Sequence, residues 1–355
     1  MRLRKKTSIK QAYLLFIILC CIPGFVSQNL KAGNVVIKTA TLAPEGSDYY
    51  QVLQDIAVEW KEITDGVVTM RLYPGGVVGD ERDAVRKMRI GQFQAAALTT
   101  KGLHEVDENV YALNYPMMVQ SWEELDWLRS RLSGDLEENL KEKGFELLFW
   151  ADVGWVYFFS TKPILKPGDV KNLKLFTRAT DFDDLQLWKS AGFNPVPLTT
   201  NDVLPGLQTG LIDVVQSPAF LALSSQWFGV ANHMLDVKWS AMSGGLVVTN
   251  QAWNSIPAQY RDTLRQVAEE HSRRFKNEIR YNSEEAIDVM QKHGLVVHTP
   301  DEEIQELWVE ETVKYYPKFE GVLVPSEMHR KVMDLWEQLK QRRKATSSEP
   351  SPDSG

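Results

Sequence analysis

Few residues in this chain are placed to do covalent chemistry. His104, His233, His271, His293, His298 and His329 are scattered, and none stands at a metal-binding spacing such as His-Glu-x-x-His. No Gly-x-Ser-x-Gly elbow occurs. The two cysteines, Cys20 and Cys21, lie in an N-terminal basic and apolar segment, so its removal leaves no thiol nucleophile. The glycine-rich bend from Tyr73 to Asp80 lacks the spacing and the lysine of a phosphate loop. No cofactor, metal or catalytic residue is therefore expected. Asp181, Asp183 and Asp184 cluster where a helix should start, as the helix dipole favours; a calcium or acid–base role is the alternative. Arg178 is the candidate cation. It either binds a carboxylate bidentately, with charge-assisted bonds of about 1.5–3 kcal/mol each, or pairs with Asp181 or Asp183. Trp155, Phe176, Phe220, Trp227 and Trp239 are the aromatic candidates. Each alone reads as core, and two or three together are expected to line a ligand cleft.

The elements that must position these residues follow an α/β grammar. From Lys174 to Pro218 the pattern is strand (Leu175 to Ala179), helix (Asp181 to Ser190), outer strand with Pro195 and Pro197 (Asn194 to Leu198), helix ending at Gly210, and strand (Leu211 to Val215). Such crossovers are right-handed and their strands parallel. The same order runs from Val35 to Leu98, with strands at 35–40, 67–73 and 93–98 and helices at 48–63 and 80–89. Two copies of one unit predict two lobes. Ligands in such sheets sit beyond the carboxyl ends of the strands, which brings Thr41, Thr99, Arg178 and Gln216 around one cleft. Phe145 to Phe159 reads as a long strand buried on both faces, with Gly154 where it passes between lobes. Gly244 to Thr249 reads as a further strand, and the residues after Pro218 as an amphipathic helix. Ala258 to Lys292 holds neither Pro nor Gly and predicts a long bracing helix. The expected division is 34–153 with 243–280 as lobe I, 154–242 with 281–344 as lobe II, and a disordered tail at 345–355.

Arg2, Arg4, Lys5, Lys6 and Lys10 precede an apolar run from Tyr13 to Ile22, the pattern of a signal segment over residues 1–33. The protein is expected to be exported to the periplasm. Lipid anchoring at Cys20 or Cys21 is the alternative, although Leu19 stands where a small residue is usual. The formal charge is −7, and residues 1–28 hold five basic and no acidic side chains, so their loss gives −12. That balance argues against nucleic acid and anionic membranes as partners, and leaves room for an anionic small ligand in a locally positive cleft.

Several dispersed motifs in order carry a resemblance. They are IKTATLAPEGS, RLYPGGVVGDERDAVRKMRIGQFQAAALT, LKLFTRA, NPVPLTTNDVLPGLQTGLIDVVQSP and GGLVVTNQAWNSIPAQYRDTLRQVAEE. Over about residues 34 to 340 the chain resembles the solute-binding subunits of TRAP transporters, the DctP-like family. The resemblance implies a two-lobed periplasmic-binding-protein-like fold, with hinge strands and a long helix. It also implies capture of a small organic acid, or a more apolar carboxylate-like solute, for a permease driven by an ion gradient. At the family's carboxylate-binding arginine this sequence has Phe176. Arg178, two residues on and on the same strand face, is the expected substitute. The pocket positions that the resemblance carries over are Glu45, Thr99, Thr100, Trp155, Phe176, Arg178, Gln216 and the stretch near Trp239; Phe220 joins them as an aromatic. The competing readings are an exported hydrolase or lyase using Asp152, Asp181 or Asp183, and a ligand-sensing receptor subunit.

Overall fold

The computed structural model describes residues 34–347. Nine strands occur among them: β1 (Val35–Thr41), β2 (Val68–Tyr73), β3 (Ala95–Thr99), β4 (Phe145–Ser160), β5 (Lys174–Arg178), β6 (Asn194–Leu198), β7 (Val214–Pro218), β8 (His233–Thr249) and β9 (Val296–His298). They form one ladder in the order β2-β1-β3-β8-β4-β7-β5-β6, with β9 on β8. Each end of the ladder is parallel: β1 with β2 and β3, and β5 with β6 and β7. β4 and β8 run antiparallel to each other through the middle and join the two parallel halves. The expected sheet halves are thus linked by hydrogen bonds through two long strands. The result is a mixed α/β fold with helices flanking a largely parallel sheet.

The joining strands are irregular where they cross. Their register slips between Leu147 and Phe149, between Asp152 and Gly154, and between Val156 and Phe158. Gly154 takes φ +136, a backbone state that side-chain-bearing residues rarely adopt. Gly244 lies so close to β3 that an added Cβ would sit 2.3 Å from the Leu98 carbonyl oxygen. Glycine in a strand interior here serves close backbone approach.

The long helix spans Ala258–Lys292, as the absence of breakers predicts, and the left-handed Gly294 follows its end. Its buried residues Leu264, Val267, Ala268, Phe275, Ile279, Ala286 and Met290 recur at helical spacing. It packs on the helix Asp48–Ile63 at one end, on β4, and on the helix Ala219–Ser224. Ser47, Asp80, Ser121 and Asp301 each cap a helix by accepting a backbone N–H.

Several boundaries differ from the sequence reading. β7 begins at Val214, three residues late, because Leu211 and Ile212 still donate to the Gly206 carbonyl and finish the preceding helix. The helix after Pro218 stops at Ser224, and Gln226 with φ +56 turns the chain. β8 then starts at His233, well before Gly244, because β4 pairs it over most of its length and β9 pairs its start. The helix that Ser121 caps, which the sequence places from Trp122 to Leu132, continues to Glu142, since Leu136 and Leu140 extend its buried stripe past Gly134. The tail expected from Ala345 is still helical to Ser347; no breaker occurs before Pro350. The signal segment, both cysteines and residues 348–355 lie outside the described residues. No helix among the described residues is long and apolar enough to cross a membrane.

Candidate functional site

The carboxyl ends of β3, β5 and β7 meet around a cavity of about 180 Å³. Thr99 ends β3 and Thr100 opens the short helix behind it. β5 contributes Phe176, Thr177 and Arg178, and β7 contributes Gln216 and Pro218. β8 adds Trp239 and Ser240. Parallel strands converge their tips on this spot because every crossover helix returns the chain to the opposite edge.

Six of the nine sequence-derived positions share this cavity: Thr99, Thr100, Phe176, Arg178, Gln216 and Trp239. Trp227, named among the aromatics, lines it as well. Glu45, Trp155 and Phe220 are placed elsewhere. Glu45 is exposed in the loop after β1. Trp155 packs against Trp122 with ring centroids 4.6 Å apart and planes tilted by 38°; its neighbour Val156 lines the cavity, as alternation along a strand requires. Phe220 lies against Tyr49 with centroids 4.6 Å apart, on the side of the long helix. Thr41, also placed at the cleft from sequence, is buried outside the lining and accepts from the Ala43 N–H.

Sequence reasoning missed much of the far wall. Lys101, Tyr111 and Trp188 line the cavity, as do Trp308, Tyr315 and Phe319 from the segment after the long helix. The signal for that last group was a local run of aromatics between Trp308 and Phe319. Trp188 and Trp239 stack with their planes 25° apart and centroids at 5.4 Å, and Trp308 meets Trp239 edge-on at 6.1 Å. The interior is therefore largely aromatic.

The mouth is charged and its charges are engaged. Arg178 Nη1 donates to Glu81 Oε2 at 3.2 Å. Glu81 is 5 % exposed and also accepts from the backbone N–H (2.5 Å) and hydroxyl (2.7 Å) of Thr99. Gly102 makes room for it: an added Cβ would come within 2.8 Å of the Glu81 carboxyl carbon. Lys101 Nζ donates to Asp181 at 2.6 Å and to Asp184. The Tyr111 hydroxyl donates to Asp184 at 3.2 Å. Burial disfavours charge on Arg178, but the Glu81 and Asp181 carboxylates outweigh it and raise its pKa. Burial likewise opposes charge on Lys101, and Asp184 and Asp181 override it upward. Burial pushes Asp181 up, yet Lys101 and Arg178 hold it below the ordinary carboxylate value. Burial, then Asp184, drives the Tyr111 hydroxyl well above its ordinary value.

The acidic cluster is thus resolved. Asp181 and Asp184 hold Lys101 across the mouth, while Asp183 is exposed. No group able to hold a metal ion occurs among the described residues. Asp152, considered as a catalytic acid, is 1 % exposed and held by Arg129 and Arg280 away from the cavity. One polar atom in the wall stands out. Gln216 Nε2 is shut off from solvent and has no hydrogen-bond partner among the described residues. A buried donor left unmet costs about 1–3 kcal/mol.

This is an α/β protein with a cavity at the tips of its parallel strands. The description Bacterial extracellular solute-binding protein, family 7 (DctP) matches residues 39–321, and the chain belongs to that family. It is a solute-binding protein, not an enzyme, of the extracytoplasmic kind. Similar curated proteins include the 2,3-diketo-L-gulonate-binding periplasmic protein YiaO of Escherichia coli, 24% identical over 279 residues, 78% of this chain and 82% of that one. The C4-dicarboxylate-binding periplasmic protein DctP of Vibrio cholerae is 23% identical over 261 residues, 73% of this chain and 78% of that one. Among solved structures, a TRAP periplasmic solute binding protein from Ralstonia eutropha H16 with bound (S)-2-acetolactate superposes with a TM-score of 0.78 at 20% identity. That match covers 86% of this chain and 99% of the other.

Proposed function

We propose that this chain is the periplasmic capture subunit of a TRAP-type secondary transporter. It takes a small organic acid, or a more apolar carboxylate-like solute, into the cavity and delivers it to membrane permease subunits driven by an ion gradient. The observation that carries this reading is the cavity at the tips of β3, β5 and β7 in a chain of this family. The small acids in the relatives' names support the solute class. Closure is a hinge motion of 34–153 with 243–280 against 154–242 with 281–344, bending at the register slips of β4 and β8. A leader peptide removed on export, or an anchor at Cys20 or Cys21, sets the protein outside the cytoplasm.

Native mass spectrometry of freshly purified protein tests the capture step. A non-covalent small-molecule adduct that unfolding releases is the expected result. Absence of any adduct, together with no melting shift across a panel of small acids and their neutral analogues, would sink the reading. Uptake into vesicles holding the permease, with and without this subunit, tests the partnership.

A further inference from the structure

The charges that line the cavity narrow the class of solute, on the assumption that the capture reading above holds. Two cations stand at the mouth, and they are more open than the acids that hold them. Arg178 and Lys101 keep 28 and 30 % of their side chains exposed, whereas Glu81, Asp181 and Asp184 keep 6, 17 and 11 %. The surface that a solute meets there is therefore cationic. Among the described residues Glu81 takes one hydrogen bond from the Arg178 guanidinium, which carries five N–H donors. The others can hold a second carboxylate.

The three acids are not equally anchored. Glu81 accepts from the N–H and the hydroxyl of Thr99, and Asp184 accepts from the Tyr111 hydroxyl. The Asp181 carboxylate has Lys101 at 2.6 Å and the adjacent Thr180 hydroxyl at 3.3 Å. It precedes the helix Phe182–Ser190 without capping it. Lys101 and Arg178 both stabilise its charge against burial, so it occupies the field of both cations. A solute carboxylate that took its place, with Asp181 turned to water, would leave the charge balance of the mouth unchanged.

The other end of the cavity differs. Lys171, which precedes β5, pairs with Glu311 at 3.1 Å, and both keep 28 % exposure, so that spot presents no net charge. Arg178 ends β5. The two spots are separated by the length of a five-residue strand, about 13 Å at 3.3 Å per residue. A four-carbon diacid is too short to bridge them. The rest of the wall is rich in rings: Phe176, Trp188, Phe193, Trp239 and Trp308. Trp188 stacks on Trp239 and meets Phe193 edge-on at 4.7 Å. Such faces and edges favour a further ring in offset or edge-on contact. The volume of about 180 Å³ is near that of an apolar protein cavity of about 150 Å³ that takes benzene, so one ring with a short acid arm fits.

We propose that the cleft selects a monocarboxylate carrying one aromatic ring, its carboxylate seated on Arg178 and Lys101 in place of Asp181 and its ring against Trp188 and Trp239. Asp181 is the internal stand-in that keeps the seat paired until the solute arrives. Lys101 follows β3 and Arg178 ends β5, so a carboxylate held by both also ties the two sides of the mouth together.

The probes are 3-phenylpropionate, its neutral amide, hexanoate and succinate. Isothermal titration calorimetry at pH 7 should show the aryl acid binding at least tenfold more tightly than its amide or succinate, and at least threefold more tightly than hexanoate. Lys101→Met should weaken the aryl acid at least tenfold and the amide less than threefold, while Lys101→Arg, which keeps the charge, stays within threefold of the parent. Asp181→Asn removes the stand-in and should tighten the aryl acid at least threefold. Succinate or hexanoate binding as well as the aryl acid overturns the single-ring monoacid class and leaves solute capture standing. An amide that binds as well as the acid overturns the carboxylate seat. Equal losses of acid and amide in Lys101→Met make that lysine structural and overturn its part in the seat. Unchanged or weaker acid binding in Asp181→Asn overturns the stand-in. If no probe binds, a co-purified solute in native mass spectrometry decides: a single-ring monoacid sustains the inference, and any other solute overturns it alone. No probe and no co-purified solute overturn the capture reading with it.

Discussion

Two charged clusters of similar make-up do different work in this molecule. The first lies where β4 slips register. Asp152 accepts from Arg129 and, at 2.9 Å, from Arg280 Nε. Arg129 also donates to Ser243 Oγ at 2.9 Å. Arg280 and Lys276 of the long helix hold Asp126 at 2.9 and 2.6 Å, and Arg280 lies 4.7 Å from the Trp122 ring. This knot joins β4, β8, the helix Trp122–Glu142 and the long helix. The second cluster is the mouth. There Glu81 and Lys101, near β3, hold Arg178, Asp181 and Asp184, which end or follow β5. Asp152 is sealed from water, whereas the Arg178 and Lys101 side chains keep 28% and 30% exposure. A carboxylate that is fully enclosed and held by two guanidinium groups, as Asp152 is, fixes a framework, even though Arg129 Nε has no partner among the described residues. Charge that keeps a path to water can part when two segments separate, because water replaces the lost partner at small cost.

Removing one carboxylate from each cluster would sharpen that contrast most. Asp152→Ala leaves two guanidinium groups facing each other with no buried partner. Breaking a buried pair in this way costs about 3–5 kcal/mol. Urea unfolding of the variant should show a loss of that size. A loss under about 1 kcal/mol would mean that water already reaches the knot, and the distinction between the clusters would fail.

Gly102→Ala attacks the mouth without touching a charge. The new Cβ comes within 2.8–2.9 Å of three Glu81 side-chain atoms, so the carboxylate must move off Thr99 and Arg178. Overpacking against a partly yielding side chain should cost about 1 kcal/mol. Hydrogen exchange should quicken at the Thr99 amide, which donates to Glu81, and not at the β4–β8 crossing. Equal quickening at both would show that the clusters act as one unit.

These contrasts also mark what the sequence could convey. The long helix and the helix Asp48–Ile63 were legible to the residue, because apolar spacing and breaker positions are local. So were the two parallel halves, since strand–helix–strand order dictates them. Arg178 was legible as a cation at a strand tip, but its partner was not. Glu81 is 97 residues away, and from local spacing alone Asp181 looked as good. The first half of β8 was hidden too, because its pairing with β4 and β9, rather than its own alternation, makes it a strand. Trp155 lies on the strand that the motif picks out, but its ring packs against Trp122 and is not part of the cavity lining.

The smallest effect concerns pH. Burial opposes ionisation of Asp181, but Lys101 and Arg178 overcome it and depress its folded-state pKa. A depressed carboxylate adds stability that is present above its unfolded value, about 3.9, and is lost as pH falls through the folded value. Lys101 runs the other way. Its pKa is raised, so its contribution is complete below about 10.4 and is lost as pH rises through the folded value. Pairing at the mouth is therefore complete from about pH 5 to pH 10. Asp181→Asn removes the acid limb of this term, while Asp184 retains Lys101. The variant should be less stable by under about 1 kcal/mol at pH 7, with the difference from the parent closing below pH 4. Melting curves from pH 3 to 7 measure it. A difference that stays constant across that range would remove Asp181 from the ionic latch and make its role steric.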